Sequence, residues 1–107
     1  MNIMNKSCPD TRDKRLLSHE QEIEGGFINA THLRGGRAMK LTSPSMRGMP
    51  DRMILLPGGH IGFVEVRSPD KPSRDFQIEQ LRKLGFQVFV IDSPEMIESV
   101  LDEIAAN

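Results

Sequence analysis

GMPDRMILLPGGHIGFVEVR (residues 48–67) contains two apolar runs on either side of a Pro-Gly-Gly turn. This arrangement predicts a hairpin of two neighbouring strands. Because side chains alternate between the two faces of a strand, Glu65 and Arg67 are expected to share one face. Asp51 opens the first strand, where its carboxylate can converge with that of Glu65 on a hard divalent ion. The segment therefore outlines a metal site.

The same residues have a plainer interpretation. Glu65 and Arg67, two positions apart on a strand, are typical of a solvated face. Pro50-Asp51 is equally typical of a turn. The residues alone leave both interpretations open.

The order of motifs in this segment resembles a known family. G-x-P-D-R, an apolar strand, P-G-G and F-V-E-V-R are similar to the virus-type replication-repair nuclease (VRR-NUC) domain of the PD-(D/E)XK nuclease superfamily. In that family the first motif supplies an aspartate and the last supplies E-x-K. The resemblance extends over roughly residues 20–93 and implies a metal-dependent DNA endonuclease with a restriction-endonuclease-like core.

The resemblance also implies an active site that uses Mg²⁺ or Mn²⁺. The implied metal ligands are Asp51, Glu65, the backbone carbonyl of Val66, and Glu20 near the start of the first helix. Gln77, on the helix after the E-x-K strand, would hold the cation or a water. Glu24 competes with Glu20 for the helix position, and an acidic residue that stabilises a helix N-terminus is an equal alternative for either.

One position departs from the family pattern, because Arg67 stands where the family carries lysine. That lysine orients or deprotonates the attacking water, whereas arginine stays protonated in proteins and acts only as a fixed charge. A weakened enzyme is one consequence. The alternatives are a catalytically inactive DNA-binding module that keeps the fold, and a metal-independent structural protein of a phage particle.

Three basic residues are candidates for substrate phosphate contacts: Lys40, Arg47 and Arg52. An exposed lysine without a partner is the simpler interpretation of Lys40. The chain has no Trp, no Tyr and five Phe, so it offers no aromatic series for stacking unpaired bases, and its net charge of −1 neither supports nor excludes a nucleic-acid partner. The resemblance implies branched DNA such as Holliday junctions as the substrate, and a homodimer with two sites for opposed strands.

Length and composition predict one domain. Its 107 residues provide for a single core, which we place at 18–107 after a mobile lead at 1–17. The sequence shows no apolar stretch long enough to cross a bilayer and no apolar secretory segment. With a single Cys8, it is expected in the cytoplasm of a bacterium or phage-infected cell. The three histidines and Cys8 lack zinc-ligand spacing.

The remaining pattern predicts a mixed central sheet flanked by helices, in the order αβββαβα. Ser18 and Gln21 form the start of a helix that ends at Gly35-Gly36, although Gly25-Gly26 also permits a shorter helix that breaks there. A short strand at 37–42 precedes the hairpin. After it, Ser73 caps a second helix, residues 86–91 form a buried strand, and Ser93-Pro94 caps and starts a last helix.

Overall fold

A computed structural model describes residues 18–41, 49–67 and 75–107. Its elements are α1 (His19–Leu33), β1 (Arg37–Lys40), β2 (Arg52–Leu56), β3 (His60–Val66), α2 (Asp75–Lys83), β4 (Val88–Ile91) and α3 (Ile97–Ala105), with a 3₁₀ turn at Pro94–Met96 before α3. This is the predicted order of helix, three strands, helix, strand and helix.

The four strands form one sheet in the order β1-β2-β3-β4. β1 pairs antiparallel with β2, and β2 pairs antiparallel with β3, while β3 and β4 run parallel. A short turn can join antiparallel strands, but a parallel pair needs a longer crossover, and here the crossover contains α2. The prediction of an α/β fold with a mixed sheet is confirmed.

Helix α1 begins at a reciprocal cap. The Ser18 hydroxyl accepts from the Gln21 backbone N–H at 3.1 Å, and Gln21 Oε1 accepts from the Ser18 N–H at 3.0 Å. The helix then continues through Gly25 and Gly26, so the alternative of a helix broken there is wrong. A Cβ at Gly26 would lie 3.1 Å from Ile97 Cδ1, whereas Gly25 has no atom within 4 Å of that position. Gly26 therefore lets α1 approach α3 closely.

Apolar side chains form a core on each face of the sheet. The larger cluster lies between the sheet and helices α1 and α3, and Val64 and Val66 belong to it. The smaller cluster lies under α2 and contains Phe63, Ile78 and Val88. Neighbouring residues of β3 thus enter opposite cores, which confirms the predicted alternation of its side chains.

The far end of α1 is tied to α3 by Arg34. Its Nη2 donates to Glu98 Oε1 at 2.6 Å and to Asp102 Oδ1 at 2.9 Å. The hydrogen bond to Glu98 is the main cause that raises the pKa of the Arg34 guanidinium, and Asp102 adds to it, while burial opposes both. These bonds hold the C-terminal end of α1 in place.

Two strand boundaries and one helix cap differ from the predictions. The last strand begins at Val88 rather than at Phe86, whose ring instead packs edge-to-face on Phe63 with centroids 5.8 Å apart. Ser93 stands at the predicted cap position, but its side chain makes no capping hydrogen bond. The first strand ends at Lys40. The predicted mobile lead at 1–17, the end of the first strand at Thr42 and the Ser73 cap lie outside the described residues.

Within the described ranges, none of the helices is long and apolar enough to cross a membrane.

Two glycines test the packing of α1 and β1. A Cβ at Gly36 would overlap the carbonyl oxygen of Leu55, which cannot rotate away, so Gly36→Ala should lower the free energy of unfolding by about 1–3 kcal/mol. Gly25→Ala, in open space within a helix, should raise it by up to about 1 kcal/mol. Urea denaturation followed by circular dichroism measures both. Equal urea midpoints for Gly36→Ala and Gly25→Ala would contradict the close packing at Gly36.

Candidate active site

The predicted acidic residues of the hairpin lie opposite each other. Arg52 pairs with Val64, so the same antiparallel register, continued by one residue, places Asp51 across from Glu65. The backbone oxygen of Asp51 still accepts from the Leu41 N–H at 3.0 Å. Directly opposite residues of an antiparallel pair have Cβ atoms roughly 5 Å apart. Continued register would place the Cβ atoms of Asp51 and Glu65 at about this distance.

The Asp51 carboxylate is fixed by the backbone of β3. Its Oδ2 accepts from the Val66 N–H at 2.9 Å, where continued register would place Pro50 opposite Val66. The N–H and C=O of a residue in an antiparallel pair point toward the same neighbouring strand, so the Val66 carbonyl also faces the Asp51 side. The Asp51 carboxylate and the Val66 carbonyl, which the resemblance implies as metal ligands, are thus brought together just before the first residue of β2.

Glu65 precedes Val66 on β3, and its side chain lies on the opposite face of the sheet from that of Val66. Its neighbour Phe63, on the same face of β3, packs under α2. The Glu65 side chain is half-buried, and its Oε1 is a buried atom. Gln77, half-buried in the first turn of α2, belongs to the helix that covers this face.

Arg67 follows the last residue of β3. Its backbone N–H donates to the Ile91 carbonyl at 2.8 Å, which holds the end of β3 against β4. The side chain is half-buried. It therefore stands two residues beyond Glu65 on a strand end that is fixed from both sides, by β4 and by Asp51.

A cleft of about 190 Å³ opens beside Asp51, between α1 and the ends of β1 and β2. Its lining residues are Glu20, Gln21, Glu24, Lys40, Asp51 and Val66. Four of these are predicted site residues, and Glu24 is the predicted competitor of Glu20. Among the described residues, Glu65 and Gln77 do not line this cleft, because they belong to the α2 face of the sheet.

Arg52 was predicted to contact substrate, but the structure pairs it with protein groups. Its Nε donates to Glu24 Oε2 at 3.0 Å, and its Nη1 donates to the Ala38 carbonyl at 3.3 Å. The side chains of Arg52 and Glu24 are only 17% and 31% exposed. Sequence reasoning missed this ion pair, although strand alternation gave a signal, since Arg52 shares its face with the buried Ile54.

Arg47 lies outside the described residues, in the segment between β1 and the hairpin. Its role as a phosphate contact stays a prediction.

The donors at this end of the sheet suit a hard cation. Within the described ranges, no three His, Cys, Asp or Glu side chains lie close enough together to hold a metal ion. Mg²⁺ commonly needs only one or two protein carboxylates, with waters and substrate phosphate completing its octahedron. Asp51 and the Val66 carbonyl could supply donors of this kind at the cleft. The cleft also has room for several waters, each of which takes about 30 Å³ in the liquid.

No family model matches the sequence. The chain is 39% identical over 83 residues to a protein named "Putative nuclease p44" from Acyrthosiphon pisum secondary endosymbiont phage 1, and the match covers 75% of this chain and 89% of that protein. It also superposes on a solved structure described as a VRR_NUC domain, with a TM-score of 0.73, 29% identity, and coverage of 80% of this chain and 97% of the other.

The mixed sheet flanked by helices matches the fold of a nuclease-type α/β domain over nearly the whole length of that domain. The acidic residues of this chain lie at the open end of its central hairpin, away from the turn. The chain belongs to the VRR-NUC family. The family resemblance of the hairpin motifs is thereby confirmed, whereas the roles of individual residues stay predictions.

The hydrogen bond between Asp51 and Val66 can be tested without any metal. Asp51→Ala removes the acceptor of a backbone N–H, while Asp51→Asn keeps an oxygen that can accept it. In chelator, Asp51→Ala should therefore be about 1 kcal/mol less stable than Asp51→Asn by urea denaturation. Both lose the same charge, so each controls for electrostatic relief in the other. Equal stability would contradict the structural role of this bond.

Proposed function

We propose that this protein is a metal-dependent DNA endonuclease that hydrolyses phosphodiester bonds at the open end of the β2–β3 hairpin, away from its turn. Membership of the VRR-NUC family and the nuclease name of the phage relative support nuclease chemistry. The observation that carries the site is the bond from the Val66 N–H to the Asp51 carboxylate, because it holds an acidic side chain against the backbone of β3 at Val66.

The residues at the site have separable roles. Asp51, Glu65 and the Val66 carbonyl would hold Mg²⁺ or Mn²⁺, and Glu20 would add a carboxylate from α1. Such an ion activates water and neutralises charge that develops on the phosphate. Lys40, exposed at the rim of the cleft, supplies a positive charge that can attract a phosphate of the DNA backbone.

Arg67 sets the expected strength of catalysis. A guanidinium beside the phosphate can stabilise negative charge and donate hydrogen bonds, but it does not accept a proton from water at neutral pH. The chain then lacks the amine that the family places here. This substitution favours a slow enzyme. It is also the observation that supports the second candidate, a DNA-binding module that keeps the fold without cleaving.

We further propose that the substrate is branched DNA, such as a Holliday junction, and that the protein acts as a homodimer. A two-fold axis duplicates each surface, so two copies would present two clefts to two opposed strands. Without aromatic stacking residues beyond phenylalanine, recognition would depend on phosphate positions and the shape of the junction.

The decisive experiment is cleavage of a labelled four-way junction in Mg²⁺ or Mn²⁺, compared with linear duplex of the same sequence. The wild type should cleave the junction preferentially, and chelator should abolish the reaction. Asp51→Ala and Glu65→Ala should each reduce the rate at least about 100-fold, because each removes a ligand that the ion needs in the transition state. Gly25→Ala serves as a variant with the site intact.

Binding without cleavage by the wild type, in both ions and on all DNA forms, would favour the binding module. Cleavage that persists in Asp51→Ala would refute the proposed site.

Arg67→Lys tests the departure from the family pattern. The amine can orient water and exchange a proton, so the substitution should raise kcat by about 10-fold or more, within the range expected for general acid–base catalysis. Single-turnover cleavage in Mn²⁺ measures the change directly. Equal rates would show that this amine is dispensable here, and a lower rate would show that the guanidinium itself is required.

A further inference from the structure

Arg52 joins the three elements that build the cleft. It is the first residue of β2, its Nε donates to Glu24 on α1, and its Nη1 donates to the backbone of Ala38 on β1. The planar guanidinium offers donors in fixed directions, so one side chain can hold two partners in a defined geometry. With only 17% of its side chain exposed, Arg52 has little surface left for an outside ligand.

Glu24 and Glu20 occupy the same face of α1, one turn apart, and both line the cleft. The Glu24 carboxylate faces a guanidinium at 3.0 Å, which compensates its charge within the protein. A carboxylate held in this way is poorly suited to bind a cation as well. Because Glu20 lines the same cleft one turn earlier, the pairing of Glu24 also fixes where α1 carries Glu20.

We propose that Arg52 is a positioning residue, which pairs with Glu24 to lock the first turns of α1 over the cleft and so places Glu20 beside Asp51. This inference rests on the proposed metal-dependent function. It replaces the expectation that Arg52 contacts substrate phosphate.

A positioning role and a phosphate contact of Arg52 differ in whether they depend on Glu24. A positioning role requires Glu24, so loss of either partner should have the same effect, and loss of both should cost little more than loss of one. A phosphate contact does not require Glu24. Its loss would weaken DNA binding and reduce the salt dependence of binding by about one unit of slope.

The experiment compares Glu24→Ala, Arg52→Met and the double variant. Mn²⁺ binding is measured by calorimetry, DNA binding by its salt dependence in Ca²⁺, and cleavage by kcat and KM. Each single variant should weaken Mn²⁺ binding and lower kcat by about 10- to 100-fold, the usual effect of removing a group that orients metal ligands. The double variant should resemble the singles, and the salt slope should stay unchanged.

Arg52→Lys keeps the charge and addresses the risk that Arg52→Met fails to fold. A single ammonium does not reproduce the rigid fork that reaches Glu24 and Ala38 together. Positioning therefore predicts weaker Mn²⁺ binding in Arg52→Lys with little change in DNA affinity. A phosphate contact predicts a variant close to wild type.

Arg34→Gln is the matched control. It removes two ion pairs at the opposite end of the same helix, where Arg34 contacts Glu98 and Asp102 of α3. Mn²⁺ affinity and kcat should stay within about twofold of wild type, because no residue of the cleft depends on it.

The outcomes separate this inference from the proposed function. Wild-type cleavage combined with unchanged Mn²⁺ binding in Glu24→Ala and Arg52→Met would overturn the positioning role and leave the endonuclease intact. A wild type that binds Mn²⁺ but cleaves no DNA would refute the endonuclease, and coupled loss of Mn²⁺ binding in the variants would still support positioning.

Discussion

The candidate site depends on how two neighbouring strands end. β2 and β3 run antiparallel in a register that places Asp51 opposite Glu65, and Asp51 leaves the regular ladder at that point. Its carboxylate then accepts the Val66 N–H that continued pairing would have assigned to a backbone oxygen. A hydrogen bond to a carboxylate is stronger than one to a neutral carbonyl. The ladder therefore ends in an acidic side chain that is hydrogen-bonded to the backbone of β3.

Around this point the fold combines rigid support with a solvent-facing opening. Val64 and Val66 are buried in the larger core, so the backbone that presents the Val66 carbonyl is anchored by packing. α1 covers the same core with Ile23 and Phe27, and it approaches α3 at Gly26. The acidic residues on the first turns of α1 are thus carried to the sheet by apolar contacts further along the helix. Rigid elements of this kind hold functional groups more accurately than loops do.

Charge balance explains why the acidic cleft also contains basic residues. Several carboxylates close together repel one another unless a cation lies between them. The ion pair of Arg52 with Glu24 neutralises one carboxylate with a group of the protein, and Lys40 adds a positive charge at the rim. Arg52 and Lys40 thereby offset part of the negative charge of the cleft.

The sequence by itself determined the local structure and the identity of the family. The Pro-Gly-Gly turn between two apolar runs specified the hairpin, and Ser18 and Gln21 specified the start of α1, because turns and caps act over a few residues. Only the tertiary structure decided the partners of residues far apart in the chain. From the sequence alone, Arg52 was interpreted as a cation available to substrate. Its partner Glu24 lies 28 positions away in the chain and meets Arg52 because α1 packs against the sheet. The pairing of Glu24 with Arg52 likewise follows from that packing, since Glu20 and Glu24 share one helical face and a local pattern does not distinguish them.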